Sequence, residues 1–155
     1  MSPGGIPKRA VAEAFATPAG LHGDSQAHPN IHGGPDQALL LISAEVIDGL
    51  REQGWPLFYG ALGENLTISG IDFRQIRLGQ RFAVGDTVVE IRKLRQPCAQ
   101  LRCYGPGIEE AIFDSACRQL DSRSPRWGWS GFYARVHRGG WIRVGAPVRL
   151  LDAAV

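Results

Sequence analysis

Arg81-Phe82-Ala83-Val84-Gly85-Asp86-Thr87-Val88-Val89-Glu90-Ile91-Arg92-Lys93-Leu94 decides how the chain is read. Two runs rich in β-branched and apolar residues flank Gly85-Asp86, a pair suited to the tight turn of an antiparallel hairpin. The second run sets Val89 and Ile91 on one face and Glu90 and Arg92 on the other, the two-residue period of a half-buried strand. Strands are therefore expected over 81–84 and 87–94.

Working outward, residues 130–137, Gly139-Gly140 and 141–144 read as a second hairpin, and 148–151 as a last short strand. Ile108, Ile112, Ala116 and Leu120 recur at helical spacing and predict a helix, with Cys117 on an apolar face shared with Phe113 and Leu120. Upstream, 64–68 reads as a short strand and 38–42 as a buried one. Ser43 is an N-cap for a helix carrying Val46, Ile47 and Leu50, stopped by Gly54 and Pro56. A first strand over 8–16 leads into a glycine-rich stretch, and turn formers make 20–35 a long loop. Many short strands with two helices favour a mainly β protein, a β-barrel with peripheral α-helices, as one domain over 1–155. Too few helices alternate with the strands for a doubly wound sheet.

The chain has 155 residues, 44% of them apolar, enough for a real core. Its 17 basic and 15 acidic residues give a formal charge of +2 and are spread through the chain, so bulk charge points to neither nucleic acid nor membrane. Three cysteines, Cys98, Cys103 and Cys117, and no signal-like N-terminus fit reduced thiols in the cytoplasm. The apolar run at 38–42 is far short of the roughly 20 residues of a membrane span.

Four short stretches stand apart from the core pattern: Gly20-Leu21-His22-Gly23-Asp24, His32-Gly33-Gly34-Pro35-Asp36, Gly63-Glu64-Asn65-Leu66 and Arg95-Gln96-Pro97-Cys98. Singly, each has an ordinary explanation in turn chemistry or, for Cys98, as a small buried hydrophobe. In this order and spacing they resemble the signature of the MOSC domain, named after the C-terminal domain of molybdenum cofactor sulfurase, and the likeness is greatest to short bacterial members. Two departures stand out. Gly145-Ala146 replaces a frequent Gly-Asp, removing any carboxylate role in that turn. The short N-terminal arm is expected to lack the extra domain that precedes MOSC in the amidoxime-reducing proteins.

The resemblance implies a MOSC-type barrel and molybdenum cofactor, with the Cys98 thiolate as the molybdenum ligand or as the carrier of a persulfide; a thiolate suits both, being soft and nucleophilic. Arg95 would favour the thiolate if the turn at Pro97 folds it back, and His32 would structure its loop or donate a proton. Gly33, Gly34 and Gly63 are candidates to hold the phosphate of the pterin through backbone N–H groups. Asn65 would meet a pterin ring, with Asp24 and Glu64 supporting arginines or loop backbone. His22, His28 and His32 sit among prolines and glycines, which argues against a helical zinc site.

Two activities follow from the resemblance: reduction of N-hydroxylated small molecules with electrons from a separate reductase, or sulfur transfer from a pyridoxal-phosphate cysteine desulfurase. Pyridoxal phosphate itself is not expected on this chain, since neither Lys8 nor Lys93 lies in a recognisable setting for it. A non-catalytic module that stores or hands over the cofactor is the third reading.

Overall fold

The computed structural model describes residues 1–24 and 34–151. Nine strands are present among them: β1 (Glu13–Thr17), β2 (Gly20–Leu21), β3 (Leu39–Ser43), β4 (Leu66–Ile68), β5 (Arg81–Val84), β6 (Thr87–Leu94), β7 (Phe132–Arg138), β8 (Gly140–Arg143) and β9 (Val148–Leu151). The helices are α1 (Ala44–Glu52), α2 (Ile108–Ile112) and α3 (Ser115–Arg118). Six strands form one curled half-barrel in the order β4-β3-β7-β6-β5-β9, and β2-β1-β8 form a second sheet. All pairs are antiparallel except β3–β4. The architecture is mainly β with a few short helices, as expected.

The β5–β6 hairpin pairs Val84 with Thr87 across Gly85-Asp86, and Gly85 has the positive φ of 55° that such a turn demands. Strand alternation sends Phe82, Val89, Ile91, Ala134 and Val136 into the core. Ser43 caps α1 by accepting the Val46 N–H at 3.3 Å, and Ile47 and Leu50 are fully buried. No helix among the described residues is long and apolar enough to cross a membrane.

Five expectations need correcting. The run 130–144 does not form a hairpin: β7 lies in the large sheet, whereas β8 pairs with β1. The switch happens at Gly139-Gly140, where a Cβ would meet the Ala16 carbonyl at 2.7 Å and the Asp86 carbonyl at 2.8 Å, so only glycine lets the chain cross there. The helix over 108–120 is two short pieces, because Phe113 is extended and the Asp114 carboxylate accepts the Cys117 N–H, capping α3. Cys117 is buried as expected, but Leu120 has a positive φ and is exposed, so it is not on the same face. The first strand begins only at Glu13. Lys8 is withdrawn into the structure, its N–H donating to the Gly60 carbonyl. Glu64 and Asn65, expected to open β4, precede it as part of a turn.

Candidate functional site

Arg95-Gln96-Pro97-Cys98 leaves the end of β6. Its first residue is still clamped to the start of β7: the Arg95 N–H donates to the Gly131 carbonyl at 2.9 Å, and the buried Ser130 hydroxyl donates to the Arg95 carbonyl at 2.6 Å. Cys98 is extended and half-buried, at the start of a tight 3-10 segment, Ala99–Tyr104. Its carbonyl accepts the Leu101 N–H at 3.1 Å. The thiol thus sits in the turn that follows β6, close to the residues that the sheet holds in place and still reachable.

The Arg95 side chain is only 5% exposed. One terminal nitrogen, Nη2, donates to the Leu62 carbonyl at 3.1 Å, while Nη1 is buried and has no acceptor among the described residues. A buried guanidinium without a carboxylate partner is costly, since it has lost hydration and gained no opposite charge.

The carbonyl that receives Arg95 is placed by Glu64. Its buried carboxylate accepts the N–H groups of Gly60 at 2.6 Å and Leu62 at 3.1 Å, and the Thr67 hydroxyl at 3.2 Å. It organises loop backbone and holds no arginine among the described residues. At Gly60 a Cβ would lie 2.1 Å from the Lys8 carbonyl, so glycine is what lets the N-terminal arm cross this loop. Gly63 plays the same part: a Cβ there would meet Ile6 at 2.9 Å. Its N–H is already donated to the Gly60 carbonyl, so what it contributes to the cleft is an absent side chain.

Asp24 and Asn65 are joined. The Asp24 carboxylate accepts the Lys8 ammonium at 2.5 Å, the Ser2 N–H at 2.7 Å and the Asn65 amide at 2.8 Å, while the Asn65 carbonyl accepts the Leu40 N–H at 2.8 Å. Asp24 therefore holds a lysine and backbone, not an arginine. The Asn65 amide uses both ends to fasten β3 to the segment at Asp24. Gly34 has a φ of 98° at the start of the 3-10 turn Pro35–Gln37, and no atom of the described residues lies within 4 Å of where a Cβ would be. His32 and Gly33, like His28, lie outside the described residues.

Cys98, Arg95, Gly63 and Asn65 line a cleft of about 90 Å³ together with Lys8, Tyr133, Gln37 and Gln100, while Glu64, Asp24 and Gly34 lie outside its lining. Lys8, Tyr133, Gln37 and Gln100 were not singled out as site residues from sequence. Lys8 had a usable signal, as one of two lysines in the chain. Tyr133 had none beyond its alternation with the buried Phe132 and Ala134. Burial pushes the Tyr133 phenol above its ordinary value of 10.0, Arg95 pulls against this, and Cys98 adds to the push, which places the three groups within electrostatic reach of one another. The phenol is protonated near neutral pH and able to donate. Among the described residues no group of three or more His, Cys, Asp or Glu side chains is arranged to hold a metal ion by itself.

The other cysteines are elsewhere. Cys103 is exposed at the end of its 3-10 segment, and Cys117 is buried with its thiol donating to Ser124 at 3.3 Å.

Comparison with known proteins identifies the family. The family model of the MOSC domain matches residues 28–149. An uncharacterised protein YflK of Bacillus subtilis is 33% identical over 133 residues, 85% of this chain and 56% of the relative. Protein YiiM of Escherichia coli is 31% identical over 145 residues, 90% of this chain and 60% of the relative. The chain thus spans a little over half the length of these curated relatives. The crystal structure of YiiM from Geobacillus stearothermophilus superposes with a TM-score of 0.62 at 32% identity, over 77% of this chain and 56% of that one. The cleft at Cys98, the curled half-barrel that carries it and these matches together place the chain in the MOSC domain family, among small bacterial proteins similar to YiiM and YflK.

Proposed function

We propose that this protein binds molybdenum cofactor through Cys98 and reduces N-hydroxylated small molecules. The observation that carries the reading is the buried Arg95 cation with its orphaned Nη1, in the wall of the cleft that holds the Cys98 thiol. A soft sulfur ligand in the same cleft lining as a buried guanidinium with no carboxylate partner among the described residues is a donor set that an anionic, sulfur-ligated metal centre fits. The described cleft is smaller than the roughly 300 Å³ or more usual for a cofactor pocket. Its walls would therefore surround the metal-bearing end of the cofactor and leave the rest outside them.

Cys98 would hold the metal, and Arg95 would offset the added negative charge. Glu64 keeps Arg95 in place through Leu62, and Asp24 ties Lys8 and Asn65 of the cleft lining together. When bound, the cofactor supplies a centre able to exchange two electrons. Conversion of an N–OH group to N–H with loss of water consumes two electrons and two protons. Tyr133, carrying a protonated phenol in the cleft wall, is placed to donate one of those protons. The electrons come from a separate donor protein.

The half-exposure of Cys98 also suits a sulfur carrier, because an incoming persulfide must reach the thiol. One experiment separates the readings. Protein produced in a molybdenum-replete host is assayed for metal, then given an artificial low-potential donor and a hydroxylamino compound. Repeated turnover supports the reductase. Gain of one sulfur at Cys98 from a cysteine desulfurase, seen by mass spectrometry with no turnover, establishes the carrier. Retained cofactor with neither outcome leaves a storage module.

A further inference from the structure

The outer face of the large sheet collects positive charge that the near-neutral composition conceals. Pairing of Arg81 with Glu90 and of Glu90 with Arg135 sets these three in one row, and pairing of Ala83 with Arg149 adds a fourth on the same face. A register irregularity between Ile91 and Lys93 brings Lys93 opposite Tyr133, two residues from Arg135 on β7. Arg92 reaches into the same row.

Two carboxylates answer this set. Glu90 is shared among Arg81 at 3.3 Å, Arg92 at 2.6 Å and His137 at 2.5 Å, and Asp36 between Arg92 at 3.0 Å and Arg135 at 2.7 Å. Lys93 and Arg149 are exposed and make no ion pair among the described residues. Arg81, Arg92, Lys93, Arg135 and Arg149 thus stand against Glu90 and Asp36, leaving a clear excess of positive charge on one pleated surface.

This surface runs up to the Cys98 cleft. Tyr133, opposite Lys93, and Gln37, next to Asp36 in the 3-10 turn, both line the cleft. We infer that the outer face of β5, β6, β7 and β9 is the docking surface for an acidic electron-donor protein, which it orients with its redox group towards the Cys98 cleft. The inference rests on the reductase reading, which requires such a donor. Charge complementarity across a surface speeds encounter and fixes orientation. Among the described residues Leu150 of β9 is exposed, but its pairing with Phe82 sets it on the opposite face from Arg81 and Arg149. Tyr133 on this face is half-buried, so charged side chains dominate the surface rather than the stacked aromatics or apolar residues that nucleic acid or lipid would use.

The test uses the isotope-labelled protein and, as probe, an acidic flavodoxin, a small flavin-carrying electron donor. Amide shifts on titration are expected on β5, β6, β7 and β9, with the dissociation constant rising at least about tenfold between roughly 20 and 300 mM salt. Lys93→Glu with Arg149→Glu should weaken binding by about tenfold or more, with an unchanged melting temperature. Arg51→Glu with Arg118→Glu, an equal charge change on α1 and α3, should leave it intact. Should the double reversal at 93 and 149 fail to fold, Lys93→Gln with Arg149→Gln is read in the same way. Overturning results are shifts elsewhere on the molecule, equal losses in the two reversed pairs, no binding at millimolar probe, or tighter binding to single-stranded RNA or to phosphatidylserine vesicles than to flavodoxin. Binding is measured without turnover, so a failure of molybdenum retention would sink the reductase reading and leave this result standing.

Discussion

Cys98 and Cys117 are the same side chain in opposite settings. Cys117 is fully buried in a capped turn, where its N–H is held by Asp114 at 2.8 Å and its thiol donates to Ser124, which in turn donates to Asp114 at 2.7 Å. Burial pushes that thiol up from its ordinary value, so it stays protonated and inert. Cys98 is half-exposed in a cleft whose wall holds a buried guanidinium and a phenol. A cysteine becomes a candidate for chemistry through the charge and access around it, and in this protein a carboxylate-anchored turn and an arginine-lined cleft make that difference.

The comparison breaks most simply by removing each sulfur. Cys98→Ser is expected to abolish molybdenum retention or persulfide formation, because a hydroxyl is a harder ligand and a far weaker acid. Cys117→Ser and Cys103→Ser should retain them. Equal loss of metal in all three variants, at matched circular dichroism, would end any special standing of Cys98.

Next in size are the carboxylates that support each setting. Glu64→Ala strands two backbone N–H groups in a buried loop, and at about 1–3 kcal/mol each should destabilise the protein by several kcal/mol in urea unfolding. Asp114→Ala removes an N-cap and should cost about 1–2 kcal/mol. Metal retention should fall in the first variant and persist in the second. The reverse pattern would show that the loop held by Glu64 does not support the site.

A smaller effect distinguishes access. Iodoacetamide at neutral pH should label Cys98 and Cys103 in the native protein, and Cys117 only under denaturing conditions. Peptide mapping that finds Cys117 labelled early would mean that its turn opens readily.

The smallest is a dependence on pH. Hydrogen bonds from the Cys117 N–H and then the Ser124 hydroxyl hold the Asp114 carboxyl below its ordinary 3.8, against a modest opposing effect of burial. Its depressed folded value means that the contribution is complete above about 3.8 and is lost as the pH falls below it. Acid unfolding of Asp114→Asn should show a shallower loss of stability across that range than the parent protein. Superimposable acid profiles would remove Asp114 from the account.

Local patterns were legible where the determinants lie close in sequence. The β5–β6 hairpin, the Ser43 cap with Ile47 and Leu50 beneath it, and the burial of Cys117 each depend on residues within a few positions of one another. The paired reading of 130–144 failed because the partner of β8 is β1, well over a hundred residues away, and Gly139-Gly140 looked like a turn when it is a crossing between sheets. The single long helix failed because its apolar spacing continues through Asp114, whose side chain restarts the backbone.

By itself the sequence determined a strand-rich chain and the order of its four glycine, carboxylate and cysteine stretches, since composition, turn residues and period are local properties, and the resemblance of those stretches to the MOSC signature is what marked Cys98 as the thiol to watch. Tertiary structure alone decided that Arg95 would spend one nitrogen on Leu62 and leave the other orphaned, that Asp24 would take Lys8 and Asn65, and that Tyr133 would wall the cleft. It alone also gathered arginines from separate strands onto one face of a chain whose formal charge is only +2. A sum of charges carries no positions, and hydrogen bonds between residues dozens of positions apart depend on which strands become neighbours, which no local period specifies.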